Sequence, residues 1–217
     1  MYVANLPEKE IHIWLSPSQQ TEGGEGSRLS DRDSLHLDRI TSHKRRQEFL
    51  SGRWLLDRAL STYLGQDWPH NFELQVSPTG KPFLKGEPIH FSLSHSHGWM
   101  GVAISTHGQV GFDMERVREL KDLVRFSQRA LSSEQLREMQ QVVDPVQSSN
   151  YLFWKWTERE AKGKLSGEGL QYLEPFEFEA EATPELLTWS WFLREGYYLS
   201  LAYRASCPVE RLRVIDF

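Results

Sequence analysis

Apolar and polar positions alternate near the start of the chain. Ile11, Ile13 and Leu15 are interleaved with His12 and Trp14, a period of two that predicts a strand. The stretch from Ser16 to Ser34 is rich in Gly, Ser and acid and reads as a loop. Ser42 caps an expected helix whose apolar stripe, Phe49, Leu56, Ala59 and Tyr63, runs to about Leu64, with Gly65 as its stop. Three strands should follow: one on Phe72, Leu74 and Val76, one on Ile89, Phe91 and Leu93, and one over Trp99–Ser105. The run Ser77-Pro78-Thr79-Gly80-Lys81-Pro82 between the first two is a turn signal.

The second half repeats that order. Val110 to Glu115 reads as a strand, Ser132 or Ser133 opens a short helix, and Ser149 or Asn150 opens a longer one reaching about Leu165. Strands are expected over Phe176 to Ala180, Leu187 to Leu193 and Tyr197 to Tyr203, the last two joined by a hairpin at Glu195-Gly196. Leu187, Trp189, Trp191 and Leu193 alternate as in a half-buried antiparallel strand. Each half thus reads as strand, helices and antiparallel meander. The expected fold class is α+β, with two similar subdomains, 1–107 and 108–217, meeting near His107 and Gly108. A ligand site is expected between them.

Composition narrows the classes. The chain has 217 residues, 39% hydrophobic and 25% charged, which is ordinary for a folded protein with a sizeable core. Its net charge of −5 lacks the basic balance of a nucleic-acid binder. One cysteine, Cys207, allows neither an intrachain disulfide framework nor a cysteine-ligated zinc site. No run nears the roughly 18 apolar residues that cross a bilayer, and Met1 to Trp14 lacks a signal-peptide pattern, so a cytoplasmic protein without membrane contact is expected.

Four clusters carry candidate chemistry. In Gly111-Phe112-Asp113-Met114-Glu115, strand geometry puts Asp113 and Glu115 on one face, where their mutual repulsion would be relieved by a divalent cation. The flanking Gly111 lets another group approach the backbone. In the helix that follows, Trp156, Glu160 and Lys164 recur at four-residue spacing and share a face. Glu160 could add a third carboxylate and Lys164 could neutralise a phosphate, although an ordinary Glu–Lys surface pair has the same spacing. Phe91-Ser92-Leu93-Ser94-His95-Ser96-His97-Gly98 ends a strand in hydroxyls and imidazoles able to bind phosphate oxygens, or is a polar turn. Arg46 and Arg53 share a helix face about 10 Å apart, and Lys81 sits in the Gly80-Lys81-Pro82 turn. Alone, each reads as surface charge. Together, acids for a cation and cations for a polyphosphate are the equipment of phosphoryl-type transfer.

The order and spacing of these motifs resemble the Sfp-type (surfactin-synthetase-activating) 4′-phosphopantetheinyl transferases from about Arg46 to Leu170. The matching residues are Gly-Lys-Pro at 80–82, Phe-Ser-Leu-Ser-His-Ser at 91–96, Gly-x-Asp-x-Glu at 111–115 and Trp-Thr-x-Arg-Glu-Ala-x-x-Lys at 156–164. Glu48 to Arg53 resembles the enterobactin-type branch. The resemblance implies a pseudo-dimer of two α/β halves. It also implies transfer of the phosphopantetheine arm of coenzyme A to a serine of an apo acyl or peptidyl carrier protein, in fatty acid, polyketide or nonribosomal peptide biosynthesis. Asp113, Glu115 and Glu160 would bind Mg²⁺, or Mn²⁺, at the pyrophosphate. Glu160 would also serve as general base, and Lys164 would assist departure of 3′,5′-ADP. Ser94, His95 and Lys81 would hold phosphates, and Arg46 and Arg53 would approach the 3′-phosphate. Arg159 stands where the family often has lysine. A monomer is expected, because the second half can supply what a partner subunit would. Basic and apolar residues from Arg116 to Arg129 suit docking of an acidic carrier helix. The competing readings are a metal-dependent nucleotide diphosphate hydrolase and a non-catalytic binder of coenzyme A or carrier.

Overall fold

The computed structural model describes residues 10–18, 29–66, 72, 74–167, 186–193, 196–205, 209 and 211–216. Its architecture is α+β: two sheets face each other, each carrying one long helix on its outer side. The first sheet has the order β4 (His90–Ser96), β5 (Trp99–Ser105), β1 (Glu10–Pro17), β9 (Arg211–Asp216). β1 lies antiparallel to β5, with Ile13 opposite Ala103, and parallel to β9, with Ile13 opposite Val214. The second sheet, all antiparallel, has the order β6 (Gly108–Arg116), β8 (Tyr197–Ala205), β7 (Leu186–Leu193). A short hairpin of β2 (Leu74–Val76) and β3 (Pro82–Leu84) stands apart.

The period-two pattern assigns the faces. On β1, Ile11, Ile13 and Leu15 turn toward the second sheet, where they meet Val110, Phe112 and Met114 of β6 and Leu199 and Leu201 of β8. Trp14 turns the other way, onto Leu55, Leu56, Ala59 and Leu60 of α2 (His43–Leu64). Fully burying each such large apolar side chain is worth about 1.5–3 kcal/mol, so these two cores fix the layering. α2 begins on the Ser42 cap and ends at Gly65, whose φ of 61° is the left-handed conformation a glycine stop supplies. Gly52, unfavourable inside a helix by about 1 kcal/mol, sits where α2 comes close to β5. A Cβ there would stand 3.0 Å from the tip of Met100 on β5.

On the second sheet lies α5 (Pro145–Ser166), capped by Asp144 and stopped by Gly167. Its approach depends on Gly111. A Cβ at that position would fall 2.0 Å from the Ala161 carbonyl oxygen and 2.4 Å from the Leu165 nitrogen. Both are backbone atoms and cannot step aside. This contact sets the helix directly over β6 and brings Glu160 and Lys164 above the carboxylate face of the strand.

Several expectations are corrected. The segment read as loop to Ser34 enters a helix, α1 (Asp31–Arg39), capped by Ser30. Its mostly polar sequence buries no side chain completely, so apolar periodicity could not announce it. α5 starts at Pro145 rather than at Ser149 or Asn150, because Asp144 with Pro at the first position makes the start. Phe72 is buried but precedes β2, and Ile89 precedes β4. α3 (Leu123–Ala130) precedes the expected short helix, α4 (Ser133–Gln140), which Ser132 and Gln135 close with a capping box. β9 was not anticipated. The expected strand over Phe176 to Ala180 and the cysteine Cys207 lie outside the described residues, as does Glu195. Gly196 turns the β7–β8 hairpin with φ 84°.

Candidate functional site

β4 and β6 are the facing edges of the two sheets, running side by side in parallel register without a backbone ladder. Serine side chains bridge them. Ser92 Oγ accepts the Phe112 N–H at 2.9 Å. Ser94 Oγ accepts the Met114 N–H at 3.2 Å and donates to Asp113 Oδ1 at 2.7 Å. Ser96 Oγ accepts the Arg116 N–H at 3.2 Å and donates to Glu115 Oε2 at 2.7 Å. The expected carboxylates therefore sit on the α5 side of β6, against this seam.

From above, Lys164 places Nζ 2.7 Å from Asp113 Oδ1 and donates also to the Leu93 carbonyl. Arg118 approaches Glu115 Oε2 at 3.1 Å and lies over the Phe153 ring. Glu160 completes the group. Partial burial, together with the negative charges of Asp113 and Glu115, pushes its carboxyl pKa up to about 7, against the opposing pull of Lys164 and Arg159. Of the two Asp113 oxygens, Oδ2 is buried and has no hydrogen-bond partner.

Among the described residues no group of three or more His, Cys, Asp and Glu side chains is ready-assembled as a cation cage. Asp113 and Glu115 are turned to Lys164 and Arg118 instead. The residues nevertheless fit a hard divalent cation. A buried carboxylate oxygen lacks a partner, an all-oxygen donor set suits Mg²⁺ or Mn²⁺, and a carboxyl raised by like charges would gain from a neighbouring cation.

Two cavities flank this group. One of about 270 Å³ is lined by Thr79, Lys81, Phe91, Ser92, Gly163 and Lys164, among others. The other, of about 720 Å³, opens between α1, α2 and the β2–β3 hairpin, with Arg32, His36, Arg45, Arg53 and His95 among its walls. His95 and Arg53 thus line a pocket, while Ser94 lies at the carboxylates. Lys81 borders the smaller cavity but donates to the carbonyls of Val110 and Leu165, at 2.9 and 3.0 Å, and burial lowers its pKa to about 8. Arg46 does not line the larger cavity. It donates to the Leu37 and Ile40 carbonyls and so closes the C-terminal end of α1. Arg53 Nη2 stands 2.6 Å from Asp33 of α1, a charge contact rather than a well-directed hydrogen bond, since Asp33 Oδ2 and Arg53 Nε both lack hydrogen-bond partners.

Three contacts around the site were not expected from the sequence. The serine ladder was signalled by hydroxyls at every second position of β4. Arg118, read as a docking cation, is engaged with Glu115. Arg159 donates from Nη1 to the Arg129 and Ala130 carbonyls, tying the end of α3 to α5 beside Glu160.

No family model matches the chain. Similar proteins are found among those with established names. The chain is 29% identical, over 82% of its length and 77% of the relative's, to 4′-phosphopantetheinyl transferase HetI of Nostoc sp.. It is 33% identical to 4′-phosphopantetheinyl transferase AcpT of Salmonella typhimurium, over 57% of this chain and 60% of the relative. It is 28% identical to the 4′-phosphopantetheinyl transferase of Bacillus subtilis, over 56% of this chain and 52% of the relative. The match therefore spans about three quarters of the first relative and little more than half of the other two.

Proposed function

We propose that the chain is a 4′-phosphopantetheinyl transferase, as the relatives it resembles are named, and that it moves the phosphopantetheine arm of coenzyme A onto a serine of an apo acyl or peptidyl carrier protein, releasing 3′,5′-ADP. The observation that carries this reading is the gathering of Asp113, Glu115, Glu160 and Lys164 beneath α5, between two cavities. Asp113, Glu115 and Glu160 would hold Mg²⁺, with Mn²⁺ as a substitute. When bound, the cation would supply charge neutralisation at the pyrophosphate.

The side chains have distinct tasks. Glu160, which projects from α5 toward the two β6 carboxylates, would take the proton of the carrier serine, directly or through water, as the serine oxygen attacks phosphorus. The bond from that phosphorus to the leaving phosphate breaks, and Lys164 offsets the charge that develops on the 3′,5′-ADP. His95 and Arg53 line the larger cavity, where the nucleotide end would lie. Lys81 borders the smaller cavity and would add its charge to the phosphate contacts there, while Ser94, whose proton goes to Asp113, would act through that carboxylate. Arg46 would act at one remove, by fixing α1.

We further infer a pseudo-duplicated architecture of residues 1–107 and 108–217, since α2 on the first sheet corresponds to α5 on the second. β9 ties the halves together. A cytoplasmic monomer fits this arrangement, and among the described residues no helix is long and apolar enough to cross a membrane.

The test is direct. With coenzyme A, Mg²⁺ and a panel of apo carrier proteins, intact mass spectrometry should find one added phosphopantetheine on at least one carrier. EDTA and Asp113→Ala should each abolish it. Hydrolysis of coenzyme A without a carrier would instead establish the hydrolase. Binding of coenzyme A with no turnover would establish the non-catalytic reading.

A further inference from the structure

We propose that Ser96 is a positioning residue of the cation site, acting on Glu115, and that the ladder Ser92, Ser94, Ser96 joins the two sheets by replacing a backbone ladder with side-chain hydroxyls. The inference rests on the reading of Asp113 and Glu115 as cation ligands.

The geometry is repetitive. Period two puts the three hydroxyls on one face of β4, and the parallel run of β6 presents the N–H groups of residues 112, 114 and 116 at the same spacing. A hydroxyl has one proton and two lone pairs, so it can accept from an amide and donate to a carboxylate at once. Ser94 and Ser96 do both, each taking the N–H of one residue and giving its proton to the carboxylate of the residue before it. Such a hydroxyl cannot swing away without releasing the strand. It holds the carboxylate oxygen on a backbone-anchored point. Ser92 makes only the first kind of bond, because the preceding residue on β6 is Gly111.

This difference supplies an internal control. Outer partners of metal-binding carboxylates typically change metal affinity 10–100-fold when removed. Ser96→Ala should raise the half-saturating Mn²⁺ concentration at least about tenfold, with Ser96→Thr restoring most of it. Ser92→Ala loses an equivalent amide acceptor and should leave Mn²⁺ affinity within about twofold. The full chain is titrated with Mn²⁺ by calorimetry, with and without coenzyme A, beside the wild type and Asp113→Ala. Carrier modification is followed in parallel, where KM for Mg²⁺ should rise more than kcat falls. If Ser96→Ala does not fold, Ser96→Cys, of similar size but a weaker donor, takes its place. Equal affinities for Ser96→Ala and wild type, with Asp113→Ala dead, overturn the inference and leave the cation site standing. Equal losses in Ser92→Ala and Ser96→Ala also overturn it, since they mark a purely structural seam. No Mn²⁺ binding by the wild type overturns the cation site and this inference together.

Discussion

The cleft under α5 and the pocket behind α1 solve opposite electrostatic problems. In the cleft, like charges are gathered. Asp113 and Glu115 each meet a cation, Lys164 and Arg118, yet one oxygen of Asp113 has no hydrogen-bond partner and both negative charges help push Glu160 toward the protonated form. In the pocket, unlike charges are matched: Arg53 meets Asp33, and Arg46 meets the carbonyls that end α1. The pairing in the pocket fixes α1 as one wall of the larger cavity. The cleft keeps one buried carboxylate oxygen and one raised carboxyl unsettled, which supports the proposal that a cation is received there.

The sharpest way to break the comparison is to dismantle the cleft without touching a charge. Gly111→Ala places a methyl group against the backbone of α5 at 2.0 Å. The helix must lift from β6, carrying Glu160 and Lys164 with it. The expected cost is about 4 kcal/mol in denaturant unfolding, with loss of carrier modification. Normal stability with lost activity would mean that α5 accommodates the methyl and that only the site is displaced.

The pocket should break differently. Arg53→Ala strands a buried Asp33 and should cost about 3 kcal/mol. Adding Asp33→Ala removes the stranded charge, so the double variant should be more stable than Arg53→Ala alone, a coupling that a double-mutant cycle measures. Additive losses would show that the two side chains stabilise α1 independently.

A smaller effect separates the regions by pH. The Glu160 carboxyl has an ordinary value of 4.5 and is raised to about 7 in the folded chain. Between these values the unfolded chain gives up the proton and the folded chain keeps it, so stability should fall as pH rises from 4.5 to 7 and then level off. Glu160→Gln cancels that decline. In EDTA the variant should match wild type at pH 4 and exceed it at pH 8 by about 1–2 kcal/mol, allowing for solvent screening. Mg²⁺ should stabilise the wild type at pH 8 and not the variant.

The two regions were also unequally legible in the sequence. The α2 caps Ser42 and Gly65, the β5 limits, and the common face of Asp113 and Glu115 follow from local rules: capping, period two, and four-residue spacing on a helix. Gly111 was legible as a place of close approach because only glycine leaves room there. The pocket was not legible, because α1 presents no apolar stripe and because the partners of Arg46 and Arg53 lie on it. Two arginines on one helix face look the same whether they await a phosphate or hold a neighbouring helix. The serines of β4 posed a similar ambiguity, since a hydroxyl row suits phosphate oxygens and strand amides equally. Nothing local revealed β9, whose place depends on pairing with β1 from the far end of the chain.

Arg159 links the cleft to the outer surface, and its replacement should give the smallest effect. Its Nη1 donates to the Arg129 and Ala130 carbonyls at 2.8 and 3.2 Å, fixing the end of α3, within the stretch expected to dock the carrier. Both bonds leave a single nitrogen, and a lysine ammonium has three donors, so Arg159→Lys can make them too. Arginine and lysine are poor substitutes where a two-nitrogen fork is used, but these bonds do not use it. If these two bonds are what α3 requires of Arg159, carrier KM and kcat in Arg159→Lys should stay within about twofold of wild type, and a larger loss would show that its other contacts matter. Arg159→Met keeps the stem and loses the donors. At about 1 kcal/mol for the lost bonds, carrier KM should rise about fivefold while KM for coenzyme A holds. Its charge also restrains the Glu160 pKa in the metal-free chain, so the pH at which the decline in stability levels off in EDTA should move upward in Arg159→Met. A rise in carrier KM without that shift would place Arg159 wholly in the service of α3, and a shift without the rise would place it wholly in the cleft.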